Sequence, residues 1–315
     1  MSAGSSDPGS APPRYSGIRT FARQEHSRDL AEADVAVVGL PFDTGTSYRP
    51  GQRFGPEAIR SASVLLRPYN PVQRVDVLGG LRIVDWGDVA LAPGDTGRAI
   101  GQIAEQLAPV AAGGAVPLCL GGDHSVALGE LRALAAEGGP LGLVLLDSHA
   151  DTWDEYGGER YFHGTPFRRA VEEGLVDPGR SLLAGMRGSV YSEGDVAAPA
   201  DLGFEVVAWD ELRRLTPPDY AARVRERVGD ARAFLSFDVD FLDPAFAPAT
   251  GTPEPGGPTT AEALGLVRAL TGIEFAGFDV VEVSPPYDGP GQVTALAAAN
   301  IAYEMLSLVA LRGAR

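Results

Sequence analysis

The chain has 315 residues, 44% of them hydrophobic and 22% charged, which is the globular range and enough for one large α/β domain. Its formal net charge of -16, with Arg present and Lys absent, argues against nucleic acid or an anionic membrane as partner and favours solubility. The single cysteine, Cys119, rules out an internal disulfide and fits a reducing cytoplasm.

Met1 to Pro13 is mostly Ser, Gly, Pro and Ala with no apolar core of a signal peptide. It predicts a disordered tail ahead of a single domain over 14–315. No apolar run approaches the ~18 residues of a membrane span. Eight apolar runs then predict strands: Val35–Gly39, Leu81–Val84, Val116–Leu120, Gly142–Asp147, Ser181–Gly185, Glu205–Ala208, Ala233–Asp238 and Gly277–Val281. Cys119 lies within the third of these and reads as a small buried hydrophobe. Helical periodicity covers Asp95–Ala112, Ser125–Glu137 and Asp219–Val228. Thr259 and Glu262 form a capping box that starts a helix to about Leu270, and Asn300–Leu311 closes the chain as a helix. Strands alternating with helices predict a mostly parallel sheet covered on both faces, with ligands beyond the carboxyl ends of its strands.

Four segments place polar residues at such strand ends. Gly121-Gly122-Asp123-His124 turns sharply off the third strand and puts His124 at a strand-to-helix junction. Asp147, His149 and Asp151 are spaced two apart, so an extended chain would point all three to one face and the small Ser148 and Ala150 away from it. Asp238 and Asp240 repeat that spacing after Phe234-Leu235-Ser236-Phe237. Isolated carboxylates among such apolar neighbours are expensive, so cations or protons must compensate them. Four carboxylates and two imidazoles suit manganese over zinc, and suit two ions sharing bridging carboxylates rather than one. Any one of these residues alone reads as a cap or turn residue; their joint occurrence does not.

Two further residues stay open on these grounds. Glu282 ends the last apolar run and is either an anchor for a cationic substrate group or a cap or ion-pair partner of an Arg. His163 follows in a loop and is either a proton shuttle or an ordinary loop histidine.

In combination, Gly121-Gly122-Asp123-His124-Ser125, Asp147-Ser148-His149-Ala150-Asp151, Ser236-Phe237-Asp238-Val239-Asp240 and Glu282-Val283-Ser284-Pro285 resemble the ureohydrolase family of arginases, agmatinases and guanidinoacid hydrolases. The resemblance runs from about Val35 to the end and includes the Gly45-Thr46-Ser47-Tyr48-Arg49-Pro50-Gly51 loop. Ser148 departs from it, where Ala is more usual, and is expected to point off the ligand face.

The resemblance implies a three-layer α/β/α fold with an eight-stranded parallel sheet, two manganese ions, and trimers or hexamers. It implies one ion on His124, Asp147, Asp151 and Asp238 and another on His149, Asp147, Asp238 and Asp240. Glu282 would hold the guanidinium, Asp151 would orient the attacking hydroxide, and His163 would protonate the leaving amine.

The loop between Asp151 and His163 has no Asn, unlike arginases, and its acidity suits agmatine; Arg160 within it suits the carboxylate of 4-guanidinobutyrate or another guanidinoacid. The run from His163 to Ala170 also resembles guanidinobutyrases and proclavaminate amidinohydrolase. A metal-binding pseudoenzyme and a single-zinc deacetylase are the other classes considered. The complete residue set argues against both.

Overall fold

A computed structural model describes residues 13–313, so the expected tail lies outside the described residues but for Pro13. Nine strands form one sheet: β1 (Glu25–His26), β2 (Val35–Gly39), β5 (Ile83–Asp88), β6 (Val116–Leu120), β7 (Gly142–Leu146), β8 (Leu182–Ala184), β9 (Glu205–Val207), β10 (Ala233–Asp238) and β11 (Phe275–Val281). A separate antiparallel pair, β3 (Tyr69–Asn70) and β4 (Val75–Asp76), lies outside it. The order is β1-β5-β2-β6-β11-β10-β7-β8-β9, and each pairing is parallel.

All eight expected strands are present. The expectation of eight is corrected by β1, a two-residue polar edge strand on β5 that is too short to show a period. The strand after Leu81 also runs later than expected, over Ile83–Asp88.

The alternation of side chains divides the core. Val35, Val37, Val144, Leu146, Leu235 and Phe237 face one hydrophobic layer. Ala36, Val38, Leu143 and Leu145 face the other. Helices α1 (Gly55–Ser63), α7 (Pro217–Val228), α8 (Thr260–Ala269) and α9 (Val293–Gly313) cover the first side. Helices α2 (Thr96–Ala112), α3 (Val126–Ala136) and α4 (Pro166–Glu172) cover the second. Two further helices, α5 (Glu193–Asp201) and α6 (Trp209–Leu212), flank β9.

The helix starts follow local chemistry: Asp95 caps α2 by accepting from the Arg98 N–H, and Thr259 and Glu262 form the expected box on α8. Helix α9 begins seven residues earlier than the Asn300 expected. Over Val293–Arg312 it is long and apolar enough to cross a membrane, which corrects the sequence expectation. That stretch is 78% buried and packs on α1 and α8, so it is a core helix of this fold.

The order brings β6, β11, β10 and β7 side by side, although β6 and β7 are consecutive in the chain. The sheet thus reverses its winding there, and the carboxyl ends of these four strands open one crevice. Each expected polar segment leaves from one of those ends. The crevice depends on close backbone approach. A Cβ on Gly122 would lie 1.9 Å from the Phe42 carbonyl oxygen, and one on Gly121 would lie 2.5 Å from Val281 Cγ1. Gly122→Ala is therefore expected to destabilise the fold by about 3 kcal/mol or more, read from the denaturant midpoint. An unchanged midpoint would contradict this packing.

Candidate metal centre

Beyond β6 the chain is pinned by its neighbours. The Gly121 N–H donates to Val280 O at 2.8 Å, the Asp123 N–H to Phe42 O at 2.8 Å, and the Glu282 N–H to Gly122 O at 2.9 Å. The turn delivers His124, fully buried, just ahead of α3. Its ring meets Phe167 edge-on at 5.1 Å.

His124 Nδ1 lies 3.2 Å from Asp147 Oδ2, 2.9 Å from Asp151 Oδ2 and 3.3 Å from Asp238 Oδ2. Behind the ring, the Ser236 hydroxyl donates to Asp279 Oδ1 at 2.7 Å, so it accepts from His124 Nε2 at 2.8 Å. That relay holds a proton on Nε2 and aims Nδ1 at the carboxylates, so that Nδ1 becomes the ligand atom once a cation displaces the proton they favour there.

A second group lies beside the first: His149 Nδ1 is 3.1 Å from Asp240 Oδ2 and 3.6 Å from Asp147 Oδ1. Within each group the potential ligand atoms lie within 4.8 Å of one another: His124, Asp147, Asp151 and Asp238 in one, Asp147, His149 and Asp240 in the other. Asp147 is common to both. Asp238 joins only the first.

The six residues meet as the sequence suggests, but by other backbone means. Strand β7 stops at Leu146, and Asp151 has a φ of 50°, so Asp147, His149 and Asp151 do not lie on an extended chain. Asp240 sits in the 3-10 turn Val239–Phe241, started by its own N–H donating to Asp238 Oδ1 at 2.8 Å. Leaving the strand also turns Ser148 inward, against expectation. Its hydroxyl donates to Asp240 Oδ1 at 2.6 Å.

Arg160 is exposed and pairs with Glu172 at 2.9 Å. Cys119 is buried as expected, its thiol pushed well up by burial and by Glu130.

At the mouth, Glu282 and His163 form one unit. His163 Nδ1 is 3.0 Å from Glu282 Oε1, and its Nε2 accepts the Ser47 N–H at 3.1 Å. Glu282 Oε1 also accepts the His124 N–H at 2.9 Å, and Oε2 accepts Gln52 Nε2 at 2.8 Å. Burial opposes the charge on Glu282, but His163 and the His124 N–H outweigh it and hold the carboxyl below its usual range. Burial also opposes charge on His163, yet Glu282, Asp151 and Asp123 raise its pKa overall. Glu282 itself adopts a φ of 66°, a strained conformation held by these contacts.

Gln52, Ser236, Asp279 and Asp123 were not singled out from the sequence. Ser236 and Asp279 carried a faint signal, each a polar residue inside an apolar run and paired across β10 and β11. Asp123, pushed up to about 7 by burial and by Glu282, accepts the Gly45 N–H at 2.8 Å and so ties the 45–51 loop to the site.

The donor set fits divalent cations. His124 Nδ1 and Asp147 Oδ2 are buried and have no hydrogen-bond partner, and both face the same carboxylates. Burial and mutual repulsion push Asp151 up to about 6 and Asp238 well up, while the same carboxylates raise His124. A cation must displace these protons. Manganese uptake by the metal-free protein is therefore expected to release protons and to weaken as pH falls through about 6, where Asp151 takes up its proton. Calorimetric titration in buffers of different ionisation enthalpy checks this; an affinity constant between about pH 5.5 and 8 would contradict it.

Comparison with known proteins agrees with this geometry. Residues 33–307 match the model of the Arginase family. The guanidinopropionase of Pseudomonas aeruginosa is 46% identical over 96% of this chain and 95% of its own length. The mitochondrial agmatinase of Gallus gallus is 45% identical over 93% of this chain and 86% of its own. The solved structure of proclavaminate amidinohydrolase from Streptomyces clavuligerus superposes with a TM-score of 0.91 at 42% identity, covering 95% of this chain and 99% of that one. With its motifs meeting at the ends of four adjacent parallel strands, this chain belongs to the arginase family and is an amidinohydrolase in fold and class.

Proposed function

We propose that the protein is a binuclear manganese hydrolase that cleaves a small linear guanidino compound to urea and an amine. The observation that carries this is the pair of ligand groups sharing Asp147, set beside an anionic Glu282 buried with His163. In this reading one ion is held by His124, Asp147, Asp151 and Asp238, the other by His149, Asp147, Asp238 and Asp240. When bound, the two ions supply hydroxide at neutral pH by lowering the pKa of water from about 15.7 to around 7.

The chain's own residues do the rest. Glu282 holds the planar guanidinium by charge-assisted hydrogen bonds, with Gln52 and the His124 N–H fixing its carboxylate. Asp151 orients the nucleophile by accepting its hydrogen bond. Oxygen adds to the guanidinium carbon, and the bond from that carbon to the alkyl nitrogen breaks. Its raised pKa lets His163 take up a second proton at Nε2, beside the Ser47 hydroxyl at 2.7 Å, and the resulting imidazolium delivers its Nδ1 proton to the departing amine and returns to the neutral ring.

Agmatine is the substrate we favour, for the acidity of the loop after Asp151. Glu155 and Glu159 are exposed there, whereas Asp154 is engaged with Arg169. One observation supports a guanidinoacid instead. Arg49 lies over the rings of Tyr48, at 5.6 Å, and Tyr287, at 5.2 Å, and no carboxylate pairs with it among the described residues. Its backbone carbonyl accepts the same Gln52 amide that binds Glu282, so the Arg49 backbone borders the site. Arg160 is a second, more exposed candidate for a carboxylate. We extend the reading to one domain over 14–315, to a cytoplasmic location from the single cysteine, and to a trimer or hexamer as the family resemblance implies.

Urea release from agmatine, 4-guanidinobutyrate, 3-guanidinopropionate, arginine and guanidine, with added manganese, tests both substrate readings. Turnover of agmatine above the acids is expected; urea from none of them would overturn the hydrolase reading. His163→Asn is expected to lower kcat by about 10²–10⁴-fold while leaving metal content intact. Asp147→Ala should abolish both turnover and most metal binding, and an Asp147→Ala protein with normal metal content would refute the shared ligand.

A further inference from the structure

Ser148 is 1% exposed and lies between two residues of the metal centre, yet the mechanism makes no use of it. Two of its donors converge on one oxygen. Its hydroxyl reaches Asp240 Oδ1 at 2.6 Å and its N–H reaches the same atom at 3.2 Å. The other oxygen, Asp240 Oδ2, is left turned towards His149 Nδ1 at 3.1 Å, with the Thr252 hydroxyl at a longer 3.4 Å.

The neighbouring carboxylates are held differently. Asp147 Oδ1 takes the His149 N–H and Asp238 Oδ1 takes the Asp240 N–H. Asp240 alone of the three receives a hydroxyl as well.

We propose that Ser148 is a positioning residue that locks the Asp240 carboxylate with Oδ2 facing His149, and so holds the ion of the His149–Asp240 group. The proposal rests on the binuclear reading above. A carboxylate with both oxygens free rotates about its bond to the chain, and a ligand must first stop that rotation. Ser148 stops it in advance, and groups that orient a ligand in this way are worth about 10–100-fold in metal affinity.

The hydroxyl also draws charge from the carboxylate, which lowers affinity. At a buried side chain fixed on one oxygen, the orientation outweighs it. The hydroxyl also lies 3.2 Å from His149 Nδ1, but its one proton is committed to Asp240 Oδ1, so its hold is on the carboxylate.

The backbone does not depend on this hydroxyl. The Arg187 N–H donates to Ser148 O at 3.0 Å, and Arg187 Nη2 donates to Asp240 O at 2.7 Å. Arg187 thus ties the two loops together whatever occupies position 148.

The test is manganese titration of metal-free wild type, Ser148→Ala and Ser148→Thr by calorimetry, with metal content after dialysis. Ser148→Ala is expected to weaken one of the two binding steps by about 10-fold or more and leave the other within about twofold. Ser148→Thr, which keeps the hydroxyl, should hold both steps near wild type. Ser148→Ala is expected to lower the melting temperature of the metal-free protein modestly, by the loss of one buried hydrogen bond, while the near-ultraviolet circular dichroism of both variants stays that of wild type, which separates positioning from misfolding. Two unchanged steps in Ser148→Ala, or equal weakening of both, would overturn the proposal. A wild type that takes up fewer than two ions would instead overturn the binuclear reading beneath it.

Discussion

The structure turns on the repulsion among four aspartates. Asp147, Asp151, Asp238 and Asp240 converge at the end of the sheet with little or no exposure to water. An isolated carboxylate in such a place costs several kcal/mol, and a group of them costs more because like charges repel. Asp151 and Asp238 accordingly hold their protons at higher pH than free carboxyls do. Two imidazoles offset part of this charge in the metal-free chain. Divalent cations would offset it more fully, as the proposed binuclear reading has it.

Around that repulsion the rest of the fold is arranged as restraint. The carboxylates would move apart unless their backbones were held. The four central strands hold them, and the Gly121-Gly122 turn and Arg187 cross-link the loops that follow. The relay from Asp279 through Ser236 sets the tautomer of His124, and Ser148 sets the rotation of Asp240. Asp151 and Glu282, with φ of 50° and 66°, hold strained backbone within this restrained region. Glu282 sits at the edge of the same field, kept anionic by His163 and a backbone N–H.

Much of this was legible in the chain. Continuous apolar runs marked the buried strands because both of their faces are covered, and Thr259 with Glu262 marked a helix start by local hydrogen bonding alone. The edge strand Glu25–His26 was not legible, since its pairing is polar and two residues long. Nor was α1, whose sequence begins Gly55-Pro56 and whose buried residues pack on α9 and on Phe21–Arg23, both distant in sequence.

At the centre the six clustered residues were legible as residue types at strand ends. The strand-alternation argument for them was only partly right, because the chain leaves the strand at Leu146 and turns at Val239. That error concealed Ser148. Gln52, Ser236 and Asp279 were hidden for a different reason: their partners are distant in sequence, and only the register of β10 on β11, or the 45–52 loop folding over Glu282, brings them close. The most direct test of the central claim is anomalous diffraction at the manganese edge from crystals grown with manganese. Two peaks about 3.5–4 Å apart, both against Asp147, are the predicted result; one peak, or none among these carboxylates, would contradict it.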